Sequence, residues 1–378
     1  MLPIRNHLRI MAIRLAIEAS LRQFPANRSR TIAAMVARAP LIVEERVEAF
    51  LDAHGLGAGP VSATRIGDGG GSNFTFLVER SGERFVLRRP PRPPLPPSAH
   101  DMVREAGLQT AMRVAGFERL AEIVAVCEDP GVIGVPFYVM RFLDGDVITN
   151  KLPPGLESER ARRRLGLDLV DALVEIHAAD VSRPELAAFA RPGTYLERQV
   201  RRFVQLWELN KTRELPDVDE VGAWLAARIP EPVAPTVVHG DYRLGNMMVA
   251  PGEPTRILAV LDWEMGAIGD PRADVGYLLA TYSEPNGRVS ALGSAPVTAE
   301  PGFPSRAELV EHYASASRRD VEPLPWFEAL ALWKAAVFCE AIYGRYIRGE
   351  LGEEDTRAAL FETGVPLLAA TALETISK

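Results

Sequence analysis

Hydrophobic positions along this chain change their spacing twice, and each change marks a change of architecture. Near the start, Ile10, Ile13, Ile17, Leu21 and Phe24 share one face of a 3.6-residue period, in a stretch rich in Arg and nearly free of acid. The pattern predicts a helical extension over 1–40 that packs on the body or mediates a homodimer. The same composition also describes a targeting segment or a membrane-surface helix. A second helical run, LIVEERVEAFLDAHGL, stops at Gly55 and Gly57. The period then shortens to two: a piece around Arg65, FTFLVE and RFVLRR read as three antiparallel strands, the last two joined by a hairpin at Ser81-Gly82. PPRPPLPPSAH is an extended connection, and Ser98 with Asp101 has the spacing of a capping box for the helix AHDMVREAGLQTAMRVAG. IVAVCED and PFYVMRFLDG supply two more strands.

From about residue 144 the helical period returns in RRRLGLDLVDALVEIHAAD, TYLERQVRRFVQLWELN and VGAWLAARI. Two short strands, TVVHG and NMMV, interrupt it, and RILAVLD is expected to pair beside them before helices resume. The fold class is therefore α+β in two lobes: a small β-rich lobe over 41–143 and a larger, mainly helical lobe over 144–378. The length of 378 residues suits two lobes better than one core.

Composition narrows the function classes. Hydrophobic residues make up 47% and charged residues 25%, as in globular proteins, and a net charge of -7 argues against nucleic acid as the partner. Two cysteines offer neither a disulfide framework nor a metal cluster, which points to reducing cytoplasm. No run of eighteen apolar residues predicts a transmembrane span.

The chemistry concentrates in VVHGDYRLGNMMV and ILAVLDWEMGAIGDP. Transfer of a phosphoryl group from ATP needs an acid beside the attacking hydroxyl and oxygen ligands for magnesium from one or two side chains. Asp241 suits the first role. Asn246, five residues on in the same loop, and Asp262, at a strand end, suit the second.

HGDYRLGN matches the H-x-D-x-x-x-x-N catalytic-loop pattern of protein kinases and their small-molecule relatives. With Gly before the acid, and with LDWEMGAIGDPRADVGYLL downstream, the chain resembles the aminoglycoside phosphotransferase and choline kinase branch. GDGGGSNFTF, RFVLRRPP, PPSAHDMVREA and YVMRFLDG look closer still to the phosphotransferase domains fused to acyl-CoA dehydrogenases and their stand-alone bacterial relatives. The resemblance, over roughly 41–350, implies a two-lobed protein-kinase-like fold and transfer of the γ-phosphoryl of ATP, with Mg²⁺, to a small-molecule hydroxyl. GTP stays open as the donor. By the same resemblance Asp241 is the base, Asn246 and Asp262 hold the metal, and Gly69, Gly70, Gly71, Ser72 and Asn73 cover the phosphates. Arg88 stands where such kinases keep a lysine, Glu105 is its partner, and Met140 to Leu143, with Phe142, form the adenine hinge. His239 is an orienting residue, Glu264 reaches the metal through water or closes the loop, Asp270 with Pro271 opens a helix, and Asp274 braces the loop. His177 reads as a polar residue ending its helix.

The acceptor is left open. The C-terminal region has no acidic run of the kind polycationic aminoglycosides need, and LALWKAAVFCEAIYGRYIRGE interleaves Trp333, Phe338, Tyr343 and Tyr346 with Arg345 and Arg348. That spacing is core more often than pocket; as pocket it favours a partly apolar acceptor with an anionic end, such as a hydroxyacyl compound. An aminoglycoside-resistance enzyme and a nucleotide-binding pseudokinase scaffold are the alternatives. A protein kinase lacks room for its activation segment.

Overall fold

The computed structural model describes residues 40–67, 73–92, 100–284, 292, 296–350 and 359–377. The N-terminal extension, Gly69, Gly70, Gly71, Ser72 and Ser98 lie outside the described residues. Met1–Leu41 and Ile42–Lys378 form separate units, and the elements below belong to the second.

The small lobe opens with α1 (Glu44–Ala53), whose Val47 and Leu51 are buried. The alternating stretches then pair as β1 (Ser62–Ile66), β2 (Phe74–Arg80) and β3 (Glu83–Arg89). Ser81 and Gly82 both take positive φ, 45° and 84°, the two-residue turn whose twist matches a hairpin. Next is α2 (Met102–Val114). Its cap is Asp101, whose carboxylate accepts the Arg104 N–H. Such a cap stabilises a helix by ~1 kcal/mol. With β4 (Ile123–Cys127) and β5 (Phe137–Arg141) the sheet completes the antiparallel order β1-β2-β3-β5-β4. Met102 and Ala106 pack on Tyr138 of β5, which turns Glu105 inward towards β3.

In the larger lobe the two-residue β6 (Asp146–Val147) precedes α3 (Glu159–His177), capped by Ser158. Then follow α4 (Pro184–Ala187), α5 (Tyr195–Asn210), α6 (Pro216–Ala227), β7 (Thr236–Val238), β8 (Met247–Ala250) and β9 (Glu253–Val260). The chain continues through β10 (Ala267–Gly269), α7 (Arg272–Thr281), α8 (Arg306–Ser317), α9 (Leu324–Ile347) and α10 (Phe361–Ile376). The expected pairing of RILAVLD beside both short strands holds for only one of them. It pairs with β8, in a sheet ordered β6-β8-β9, whereas β7 pairs antiparallel with β10. Residue alternation identifies a strand but not its neighbour, and the loop between β7 and β8 sends the chain into a different sheet.

Two apolar cores support that loop. One gathers Leu169, Leu173, Val237, Tyr242, Met247 and Trp263, and the other Phe203, Leu225, Trp326, Leu330 and Trp333. Trp333 is thus core, while Phe338 and Tyr346 are exposed. Among the described residues no helix is long and apolar enough to cross a membrane.

Candidate active site

The loop from His239 to Asn246 is held from behind by one buried carboxylate. Asp274, on the first turn of α7, accepts the His239 and Gly240 N–H groups, each at 2.7 Å. His177 adds a third contact at 3.2 Å through Nε2, and its Nδ1 lies 2.6 Å from the Tyr313 hydroxyl. Burial pushes the Asp274 carboxyl up, but the His177 hydrogen bond, the neighbouring His177 and His239 rings and the Gly240 N–H outweigh it and hold it below the usual carboxylate range. His177 was read as a helix-ending polar residue. The structure corrects this: it is fully buried and forms part of the bracing network.

The front of the loop presents the predicted triplet. The Asn246 carboxamide donates to both the backbone oxygen and Oδ2 of Asp241, each at 2.8 Å. Its oxygen, the natural metal ligand, is thereby turned away from Asp241. The Asn246 backbone oxygen accepts the Leu261 N–H at 2.8 Å, and the Leu261 oxygen accepts from His239 Nε2 at 2.9 Å. His239 Nδ1 in turn accepts the Asp241 N–H at 3.2 Å, so the ring carries its proton on Nε2 and ties the loop to the end of β9. Asp262 follows directly, in left-handed conformation (φ 66°, ψ 65°), which a non-glycine residue holds at ~1–3 kcal/mol unless its surroundings fix it. The two bonds to Leu261 do so.

Arg88 links the lobes. Its Nε lies 3.2 Å from Glu105 Oε1, and its terminal nitrogen pairs with Asp262 Oδ1. Burial lowers the guanidinium pKa, but Glu105 and Asp262 outweigh that and hold the proton more tightly than usual. Glu105 is buried, and burial raises its pKa against the pull of Arg88 and the Tyr138 hydroxyl, which donates at 3.0 Å. A second bridge runs from Asn73, the described end of the glycine-rich turn, to Glu264 Oε2 at 2.8 Å. Asn73 Oδ1 also lies 2.9 Å from His100 Nδ1. Met140 is paired within β5, and the Phe142 N–H is engaged by Arg84 O at 3.4 Å, with its ring under the Arg84 guanidinium.

The donor set suits a divalent cation shared with phosphates rather than a self-sufficient metal centre. Among the described residues no three His, Cys, Asp or Glu side chains form a metal-ligand group. Asp241 Oδ1 is buried with Arg243 Nε 3.4 Å away, and burial together with the Asp262 charge pushes Glu264 up to about 8. Carboxylate oxygens gathered beside a carboxamide oxygen are the donor set that hard cations take.

Several neighbours escaped the sequence reading. Arg243 Nε lies 3.4 Å from Asp241 Oδ1. Burial and the Asp241 carboxylate hold the Tyr277 phenol well above its ordinary pKa. Lys334 is buried on α9 within electrostatic reach of Asp241. Arg243 and Tyr277 stand inside HGDYRLGN and LDWEMGAIGDPRADVGYLL, at positions to which those patterns assign no role, and Lys334 reaches the site only through the packing of α9. A cavity of about 420 Å³ lies elsewhere, between the start of α5, residues 229–235 and β10, and none of Asp241, Asn246 and Asp262 lines it.

The chain is similar to a solved Ralstonia eutropha protein named for the aminoglycoside phosphotransferases, with 28% identity and a TM-score of 0.73, covering 88% of this chain and 97% of that one. Spectinomycin phosphotransferase, solved with ADP and spectinomycin, shares the fold at 12% identity and a TM-score of 0.56, over 89% of this chain and 100% of that one. Mouse acyl-CoA dehydrogenase family member 10 is 30% identical over 311 residues, covering 82% of this chain but only 28% of that protein. The fold is the two-lobed kinase-like one. The profile of the phosphotransferase enzyme family matches residues 62–309, and the chain belongs to that family.

Proposed function

We propose that the protein is an ATP- and Mg²⁺-dependent phosphotransferase acting on a hydroxyl of a small molecule. The observation that carries this reading is the convergence of Asp241, Asn246 and Asp262, joined through the Asn246 carboxamide and the Leu261 backbone. The acceptor oxygen attacks the γ-phosphorus in line as the bond to the leaving ADP oxygen breaks. The hydroxyl proton passes to Asp241, which is positioned for it by Asn246 and by the braced loop. Arg88 grips phosphate oxygens, anchored behind by Glu105. Asn246 and Asp262 would hold magnesium, which would supply charge neutralisation at the phosphates. Positioning and electrostatics provide most of the acceleration.

An ATP-consumption screen across hydroxy acids, hydroxyacyl thioesters, amino alcohols and aminoglycosides tests the reading. Asp241→Asn should lower turnover by roughly 10²–10⁴-fold while nucleotide binding survives. Undiminished turnover in that variant would remove Asp241 from the mechanism.

A further inference from the structure

Two acids follow the end of β9, and the small lobe touches each through a different side chain. Asp262 pairs with Arg88, and Glu264, two residues on, accepts from the Asn73 carboxamide at 2.8 Å. A divalent ion on Asp262 would compete with Arg88 for that carboxylate. The Asn73–Glu264 bridge leaves Asp262 free.

Asn73 is itself held from the other side. His100 Nδ1 lies 2.9 Å from its carboxamide oxygen and 3.8 Å from Glu264 Oε2. Facing an ionised carboxylate, the amide turns its nitrogen to Glu264 and its oxygen to the ring, so His100 donates from Nδ1. The His100 and Glu264 side chains are 19% and 24% exposed, and both bonds are largely shielded from water. Burial, and after it the Arg88 and Arg345 charges, hold the imidazole pKa below its ordinary value, so the ring meets Asn73 as a neutral donor. The backbone is also set for this contact. His100 takes φ 58°, a left-handed conformation uncommon outside glycine, immediately before Asp101 caps α2. That cap uses the Asp101 carboxylate on the Arg104 N–H and does not need the ring. Starting the helix therefore does not explain the histidine.

We propose that His100 is a positioning residue of the metal and nucleotide site: by donating to Asn73 it fixes the carboxamide that holds Glu264, and so places the Glu264 carboxylate before the ion arrives. A carboxylate already in place loses little side-chain freedom when it engages the cation, directly or through water. This rests on the phosphotransferase reading for the identity of the ligand, Mg²⁺ with a nucleotide, but it is measurable without turnover.

The test is calorimetric titration of the full chain with ADP, once with Mg²⁺ and once with EDTA. His100→Gly removes the ring and accepts the positive φ freely, so the backbone is not the variable. It should weaken Mg·ADP binding roughly threefold to tenfold, the worth of one hydrogen bond, and leave metal-free ADP binding unchanged. His100→Asn tolerates the left-handed conformation and carries a donor near the Nδ1 position, so it should restore most of the loss. Asn73→Ala should weaken Mg·ADP binding at least as much. Adding His100→Gly to it should cost nothing more, because the ring acts through the carboxamide. Should His100→Gly not fold, His100→Asp replaces it, matching His100→Asn in shape but offering Asn73 no donor. Unaltered Mg·ADP binding without the ring overturns the inference. So does a loss that is equal in EDTA, or one that adds in full to Asn73→Ala. The expected pattern with no ATP consumed for any acceptor sinks the phosphotransferase reading alone. ATP consumption by the parent, with unaltered Mg·ADP binding in His100→Gly, sinks the positioning role alone. A parent that binds no Mg·ADP sinks both.

Discussion

Lys334 is a buried charge, its Nζ 4.9 Å from the centre of the Phe203 ring, whose protonation bears on stability. A lysine in an unfolded chain titrates near 10.4, and here burial and Arg202 bring it to about 8. At about 1.4 kcal/mol per pH unit, carrying the proton below pH 8 works against the fold by on the order of 3 kcal/mol. The sign follows from proton counting. Between pH 8 and 10.4 the unfolded chain keeps a proton that the folded chain has released, so stability rises with pH across that window. Lys334→Met should therefore melt higher than the parent at pH 7, with the difference shrinking towards pH 10. A lower melting point at pH 7 would mean that Lys334 serves Asp241 and Asp274 as a stabilising counter-charge. This residue was invisible in the sequence, because one Lys inside an apolar helix has no spacing to flag it. Arg88, by contrast, was legible from its place in RFVLRR, and it does meet both Glu105 and Asp262.

The element that carries the chemistry is the turn between β7 and β8, and Gly240 is its hinge point. Gly240 takes φ +83°, and a Cβ there would lie 2.8 Å from Met265 Cβ and 2.9 Å from Met265 O. The second contact is backbone and cannot yield by rotation. Gly240→Ala should destabilise the protein by roughly 1–3 kcal/mol in denaturant titration and lower ATP consumption further than the loss of folded protein explains, since it displaces Asp241. Normal activity per folded molecule would show that the loop tolerates the shift. The glycine, the acid and the amide were legible because they are close in sequence and their spacing reflects one turn of backbone. The elements around them were less so. The pairing of β7 with the three-residue β10 depends on a partner about thirty positions away, and AIG has no alternation long enough to be read as a strand. His177 was misread for the same reason: its partners Asp274 and Tyr313 lie on α7 and α8, distant in sequence.

Across the whole described unit, the small lobe shares an apolar core with the larger one through Leu108, Met112 and Phe117, and at the site three polar contacts join them: Arg88 to Asp262, Asn73 to Glu264 and Arg104 to Gly266. Two of these three involve acids that stand close enough to repel one another. Burial comes first and the Asp262 charge second in raising the Glu264 pKa, with Arg88 opposing them. At the site the lobes therefore close over Asp262 and Glu264 with Arg88 against them, a balance that a divalent ion arriving with a nucleotide would complete. Above pH 8, where the Glu264 carboxyl is ionised, Glu264→Gln removes one negative charge and keeps an oxygen able to accept from Asn73. Without metal, the variant should melt above the parent, because the like-charge repulsion at the lobe boundary is gone. With saturating Mg·ADP the parent should gain more than the variant, since Glu264 then contributes to holding the cation, directly or through water. Equal gains in both proteins would show that Glu264 only closes the loop, and would leave Asn246 and Asp262 as the whole protein share of the metal site.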